Sequence, residues 1–578
     1  MWESFSVDSN GEPLYAMSMN ITFYGATRVV TGSCTLIECG NKKLLVDCGL
    51  PQGHDERIIG LQLPCDPRDI DYVLLTHAHI DHTGRVPLLV KEGFRGIIYS
   101  TEATEDLCSI MLADSGYIQE SEAEWQSRKN IRAGEKPVEP LYRVEDAHNA
   151  LNYFVSYPYD EPFQIAEGIE ATFIDAGHML GSAYIILTLS EGGQTRKLLF
   201  SGDIGNTNQP LINDPSIVKG ADFVIMESTY GDRLHPPVLY ESEKEAILSH
   251  AQNLAIIIAE TFAKGGNVVI PTFAVGRTQE ILYLLRTIIY HKMLPGLPTI
   301  DVFLDSPLAI EATKIFSRNI DGYFDEESLE LVKQGINPLL FDSLTLTVTA
   351  QESIALNSRK ESCVIISSSG MCEAGRIKHH LKHNLWRKES TVVFTGYQAT
   401  GTLGRSISDG AKRVTLFGEK IDIKAKITKL EGLSGHADQK GLLSWVQAMS
   451  DKPKHIFVVH GEERVALYFA GLLGSELHLD AWAPHTGQSF DLLEEKLPVA
   501  EKERRWIVGV ERLKEALAQL SATYRGVDLV KERLEEHAQE AFKTPDATDI
   551  ERLSDAVQRF AEELESLRGR WEGPQQEY

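Results

Sequence analysis

The chain has 578 residues, 43% of them hydrophobic and 24% charged, with a formal net charge of −26; that length exceeds one ordinary core and suits two or three domains. No run of about 20 apolar residues occurs, so no membrane span is expected, and the polar, acidic residues 1–20 lack the basic-then-apolar pattern of a signal peptide. Seven scattered cysteines without a CxxC pair speak for reduced thiols in a cytoplasm rather than a disulfide framework, and the acidic balance speaks against a nucleic-acid binder that coats phosphates with a basic stripe, although a cleft holding divalent ions carries its own positive field.

From residue 19 to about 215, short β-branched runs alternate with turns, and residues 21–24, 34–38, 43–47, 72–76 and 96–99 are expected as strands, with helices over 82–92 and 103–126. From about 216 to 424 the pattern becomes strand–helix–strand. Apolar runs at 223–227, 267–271, 299–304, 362–367 and 391–395 are separated by helical stretches such as 242–264 and 278–290. That alternation implies a mainly parallel sheet covered on both faces. Residues 454–460 form one more buried-type strand, ending in a histidine. Beyond 500 the character changes to charged amphipathic helices at 512–521, 528–541 and 550–570, with no ligand-like cluster. There is no internal repeat.

The densest chemistry is Thr76-His77-Ala78-His79-Ile80-Asp81-His82, directly after an apolar strand and before a helix. Such loops are where α/β folds present ligands on a rigid scaffold, and loops that merely face water seldom collect four metal-ligand side chains so closely. Further candidates end other strands: His178 after Asp175-Ala176-Gly177, Asp203 after Ser201-Gly202, and His460 before Gly461. A lone histidine or aspartate at a strand end is more often a satisfied core or surface residue. The weight comes from several such sites in one chain, each beside a glycine that lets the backbone approach closely.

Weaker signals are a Gly-rich turn, Gly401-Thr402-Leu403-Gly404-Arg405, that could cradle a phosphate, and two single residues of the same kind, Arg277 in Val-Gly-Arg-Thr and Ser369. A plain Gly-rich turn explains the first equally well. In His379-His380-Leu381-Lys382-His383, the two outer histidines lie one helical turn apart and could chelate a metal. The reading favoured here is a solvated helix face.

Asp47 in Leu-Leu-Val-Asp-Cys-Gly, then His77-x-His79-x-Asp81-His82, His178 and Asp203, in that order, resemble the metallo-β-lactamase fold. Glu227 in Met-Glu-Ser-Thr-Tyr-Gly, His436 in Ser-Gly-His-Ala-Asp and His460 in Val-Val-His-Gly resemble its nucleic-acid-cutting branch, the β-CASP family. The likeness is strongest to bacterial and archaeal ribonucleases related to the eukaryotic pre-mRNA 3′-end cleavage endonuclease. It runs from about 20 to 492 and includes Asp305-Ser306-Pro307, Ser369-Gly370-Met371 and Gly396-Tyr397-Gln398.

The resemblance implies an α/β fold: an αββα metallo-β-lactamase sandwich over 19–215, an inserted parallel-sheet β-CASP domain over 216–424, and completion of the sandwich over 425–495. The helical extension, 500–578, lies outside the resemblance. It further implies two zinc ions, with manganese as the alternative: His77, His79 and His178 on one, Asp81, His82 and His460 on the other, Asp203 bridging. A hydroxide activated by both metals would attack phosphorus, His436 would protonate the leaving oxygen with Glu227 holding its imidazole, and Asp47 would orient a ligand histidine. Asp81, His436, Glu227 and Asp47 are thus the expected catalytic set, and Ser369, Gly401, Thr402, Arg405 and Arg277 the expected contacts to RNA phosphate.

The expected partner is RNA. A DNA-cutting relative is disfavoured by His460, a small-ester hydrolase by the insertion, and an inactive scaffold by the full ligand set. Endonuclease and 5′-exonuclease action stay open, as does a homodimer through the terminal helices against a self-packed bundle.

Overall fold

Apolar runs that end in a glycine, an acid or a histidine pair into three large sheets. The computed structural model describes residues 18–235, 243–297, 299–396, 398, 401–430 and 432–495. These fall within one compact unit, residues 1–496. The expected helices of 500–578, and Tyr397, lie outside the described residues.

The first sheet has the strand order Gln488–Asp491, Met19–Gly25, Cys34–Cys39, Lys42–Val46, Tyr72–Leu74, Ile97–Ser100, Phe154–Ser156. Its first four strands pair antiparallel and the rest parallel. The second sheet begins with an antiparallel meander from Phe163–Ala166 to Gln194–Phe200 and continues through the parallel strands Phe223–Glu227, His455–Val459 and Ala481–Trp482. Aromatic rings meet between the two sheets: Phe457 of the second lies 4.9 Å from Phe23 and 5.3 Å from Phe490 of the first, centroid to centroid. Helices cover the outer faces. The first sheet packs Val73 and Ile98 into one cluster with Leu107 and Leu112 of the helix Glu102–Arg132, and the second packs Val224 and Val458 with Trp445 and Leu473. Fully buried Leu, Val and Phe side chains contribute roughly 1.5–3 kcal/mol each relative to exposure, so these two layers anchor the loops between them.

The third sheet is wholly parallel, in the order Leu344–Leu346, Val302–Leu304, Val364–Ser367, Val268–Pro271, Thr391–Phe394, Lys426–Lys429. A hairpin of Arg413–Leu416 and Glu419–Asp422 stands beside it.

Several expected elements change. The strand Phe223–Glu227, expected to open the inserted domain, pairs instead with Gln194–Phe200 and His455–Val459 in the second sheet. Lys426–Lys429, expected after the return, is the edge strand of the third sheet. By strand membership the chain therefore leaves the sandwich between Glu227 and Val268 and re-enters it between Lys429 and His455, rather than at 215/216 and 424/425. An apolar run reports burial but not which sheet buries it. The single helix expected over 82–92 is broken into Ile80–Thr83 and Val86–Lys91. Arg85 sits at the break, 1% exposed, and its Nε donates to the Gly49 carbonyl at 2.6 Å, while Pro87 stands in the first turn of the second piece.

Candidate active site

Four strand ends converge on one buried carboxylate, Asp203. The strand Tyr72–Leu74 leads into the His77–His82 loop, Ile169–Asp175 into His178, Gln194–Phe200 into Asp203, and His455–Val459 into His460. Two glycines make the convergence feasible. A Cβ on Gly49 would lie 1.6 Å from the Asp81 carbonyl oxygen, and one on Gly205 would lie 1.9 Å from that of Gly177, closer than any side chain tolerates.

Asp203 Oδ2 lies 3.4 Å from His77 Nε2 and 3.5 Å from His178 Nε2, and its Oδ1 lies 3.3 Å from His82 Nε2 and 3.5 Å from His460 Nε2. Asp81 Oδ2 stands 3.5 Å from His460 Nε2. The donor atoms of His77, His79, His178 and Asp203 gather within 4.8 Å of one another, as do those of Asp81, His82 and His460. All seven expected ligands are thus brought together, in the two groups the resemblance implies.

The outer atoms of the rings are tied down. His82 Nδ1 donates to Asp47 Oδ2 at 2.7 Å, and His178 Nδ1 donates to the Gly435 carbonyl at 2.9 Å. Each bond turns Nε2 inward, the nitrogen that a metal would take. His82 Nε2 faces His460 Nε2 at 3.1 Å, and His79 Nδ1 faces the Nε2 atoms of His77 and His178 at 3.1 and 3.3 Å. His79 Nδ1 faces two such nitrogens, and one proton cannot satisfy all three. Asp203 Oδ1, fully buried, also lacks a hydrogen-bond donor. A divalent cation satisfies both requirements, and imidazoles with carboxylates are the donor set zinc prefers; the residues present fit such ions.

Charge follows the same logic. Burial and the neighbouring histidines hold His77 and His178 below the usual imidazole range and bring His79 to about 3. These rings stay neutral, the form that ligates a metal. Burial opposes charge on Asp203, but His460 and His82, which their carboxylate neighbours hold above the usual imidazole range, outweigh it and keep the carboxyl well below its ordinary value.

Asp47 adopts a left-handed backbone, φ 60°, and accepts from Thr76 N at 2.9 Å and from His82. Sequence reasoning missed two supporting hydroxyls. Thr76 Oγ1 contacts Asp47 at 3.0 Å and His77 Nδ1 at 3.1 Å, and Thr229 Oγ1 contacts His460 Nδ1 at 3.0 Å. Both sit inside motifs already noted, beside a ligand and beside Glu227, which was the available signal.

A second dyad borders the cluster. Glu227, fully buried, accepts from the Ile204 amide at 2.5 Å and meets His436 Nδ1 at 3.2 Å. The backbone bridge between Gly205 and His436 fixes the histidine loop, and His436 Nε2 points to Asp203 Oδ2 at 4.0 Å. Burial alone would lower the His436 pKa; the Glu227 and Asp203 carboxylates overcome it and raise it to about 9.

The expected phosphate contacts are scattered around the third sheet. Arg277 is partly buried and ion-paired with Glu280; its charge reaches Tyr230, whose ring stands 5.9 Å from His436. Thr402 Oγ1 caps its own short helix by accepting from Arg405 N at 3.1 Å, and Arg405 Nε bonds Asp409 at 2.7 Å. Ser369 Oγ engages Ala374 at 3.3 Å. Gly401 is exposed with φ 89°. The loops carrying Ser369 and Gly401 meet where Gly404 N donates to the Met371 carbonyl at 3.0 Å.

Residues 27–247 match the metallo-beta-lactamase superfamily, 278–407 the Beta-Casp domain, and 420–484 the Zn-dependent metallo-hydrolase RNA specificity domain. The chain is 38% identical to the ribonuclease TTHA0252 of Thermus thermophilus over 80% of its own length and 98% of that protein. It is 32% identical to an RNase J-like protein of Methanocaldococcus jannaschii, covering 81% and 98%. It is 31% identical to the transcription termination factor FttA of Methanosarcina mazei, covering 80% and 70%.

Proposed function

This chain belongs to the β-CASP family of metallo-hydrolase ribonucleases, and we propose that it hydrolyses RNA phosphodiester bonds at the Asp203 cluster with His436 as general acid. The observation that carries this reading is the pairing of two donor groups around one buried carboxylate with a carboxylate–imidazole dyad at their border. His77, His79 and His178 would hold one divalent ion and Asp81, His82 and His460 the other, with Asp203 within reach of both groups. Bound there, such ions acidify water and neutralise charge on a phosphate's oxygens.

The chain's own residues do the rest. Asp47 and the Gly435 carbonyl fix the tautomers of His82 and His178, so their Nε2 lone pairs stay available. Glu227 holds His436 by Nδ1, which leaves the Nε2 proton facing the cluster for the leaving oxygen. Zinc is favoured and manganese is the competitor, because the set mixes imidazoles with carboxylates.

Digestion of one RNA labelled at its 5′ end and one labelled internally, with product lengths resolved over time, tests the reading. Metal-dependent shortening of both supports it and separates cuts within the chain from release of single nucleotides at the 5′ end. Matched DNA cut as fast, or no cleavage by metal-loaded protein, overturns it.

A further inference from the structure

The helix Ile377–Asn384 carries the histidine cluster that the active site leaves unused. One face is buried: Ile377, His380 and Leu381 are fully enclosed. The opposite face carries His379 and His383 at i and i+4, and Trp386 follows in the turn just past the helix end. His379 and His383 are exposed, and Trp386 is 54% exposed.

The hairpin Arg413–Leu416/Glu419–Asp422 packs its inward Val414, Leu416 and Ile421 against this helix. Its two-residue turn is Phe417-Gly418, with φ 51° and 80°. Hairpin turns of this kind favour Asn or Gly at both places, and a bulky side chain at positive φ is unusual. Here the turn exposes 51% of a phenylalanine instead of hiding it. The ring lies 4.4 Å from that of His379, stacked at 25°, with Lys378 Nζ 5.6 Å from its centre.

Charge sets this region apart. Residues 376–429 hold twelve lysines and arginines against four aspartates and glutamates, within a chain of net charge −26. Lys388, Lys412, Lys420 and Lys424 are exposed. Metal binding does not explain the exposed histidines, because His379 is engaged by Phe417 and no ligand group is found there among the described residues.

Exposed rings interleaved with cations are the chemistry of single-strand binding: bases stack on the rings and phosphates meet the cations. Building on the reading that the chain cuts RNA, we propose that the helix Ile377–Asn384 and the Phe417 turn form an accessory surface for single-stranded RNA, which holds the substrate away from the bond being cut. Phe417 with His379, and Trp386, are the stacking platforms, and Lys412, Lys420 and Lys424 meet the phosphates. The local excess of positive charge lets an otherwise acidic protein retain a polyanion.

Cleavage kinetics on a long unstructured RNA and on an oligonucleotide of a few residues, with crosslinking of 4-thiouridine RNA to the full metal-loaded chain, test this. Phe417→Ala and Trp386→Ala are each expected to raise KM on the long RNA by about 5- to 100-fold, the range for losing one base–aromatic stack, with kcat and the short-RNA rate unchanged. Phe417→Tyr should restore KM. The triple change Lys412→Gln, Lys420→Gln, Lys424→Gln should flatten the dependence of log affinity on log salt by about 0.7 for each phosphate no longer neutralised. Crosslinks should fall on the helix and the turn. Equal KM shifts on both RNAs, no shift on the long one, or crosslinks confined elsewhere would overturn the proposal. If the wild-type chain cuts neither RNA, the catalytic reading fails, and the crosslinks still decide the surface.

Discussion

His436 and His460 have ring centroids 6.4 Å apart, yet their removal should fail in different ways. His436→Ala is expected to keep its metals and cut ordinary RNA about 10²–10⁴-fold more slowly, the usual contribution of a general acid. On RNA with a 5′-bridging sulfur at the cut site it should lose far less, because a thiolate departs without a proton. Glu227→Gln should show a milder form of the same pattern, since Glu227 acts through the imidazole it holds. His460→Ala should lose metal, and the sulfur substrate should not rescue it. Metal content measured beside single-turnover rates checks this; rescue of His460→Ala but not His436→Ala would exchange the two roles. His77→Ala should likewise lose metal and activity while the circular dichroism spectrum stays that of the folded protein. The proposed ligands were legible because four crowd into one loop and the other three, His178, Asp203 and His460, stand at strand ends beside glycines. The hydroxyls of Thr76 and Thr229 were missed although both stand within noted motifs, since only the fold places a threonine near a particular imidazole.

The loop after the strand Val302–Leu304 holds the third sheet to its helices. Asp305, fully buried, accepts from His380 at 2.5 Å, Ser353 at 2.5 Å and Arg376 at 2.6 Å. Burial raises its pKa, but these bonds overcome burial and hold it below the ordinary value. The stability this contributes is complete above the unfolded pKa of about 3.9 and drains as pH falls through the lower folded value. Asp305→Asn, by weakening one partner of a buried charged network, should cost about 3 kcal/mol at neutral pH. Melting curves should show the variant well below the parent at pH 7, with the gap closing in acid; a constant gap would place the loss in packing instead. The motif Asp305-Ser306-Pro307 was visible in sequence and its helix start was readable, since Ser306 caps and Pro307 follows. Its bond to His380 was hidden, because the helical spacing of three nearby histidines does not show which one faces the core. Strand and helix types were readable from periodicity, whereas the sheet that receives Phe223–Glu227 was set by long-range pairing that no local pattern encodes.

At the scale of the molecule, the family's order of segments was readable from motifs spread from Asp47 to His460, while net charge misled, because an average of −26 conceals the basic stretch 376–429. The amphipathic pattern of 500–578, read from sequence alone, predicts a segment that serves assembly rather than chemistry. A chain ending near Glu495 retains Gln488–Asp491, the strand that flanks Met19–Gly25. It should therefore keep its rate on a short RNA while light scattering reports a smaller mass per particle; a lost rate or an unchanged mass would each refute one half. The pairing of Met19–Gly25 with Gln488–Asp491 also bears on how the protein is made. A growing polypeptide emerges amino end first: Met19–Gly25 can pair at once with Cys34–Cys39, yet its other edge waits for a strand synthesised near the end of the described residues, and the donor cluster around Asp203 waits for His460. Pairings so distant in sequence close slowly. Until the ribosome has passed residue 460 the nascent chain holds only part of the donor set gathered around Asp203.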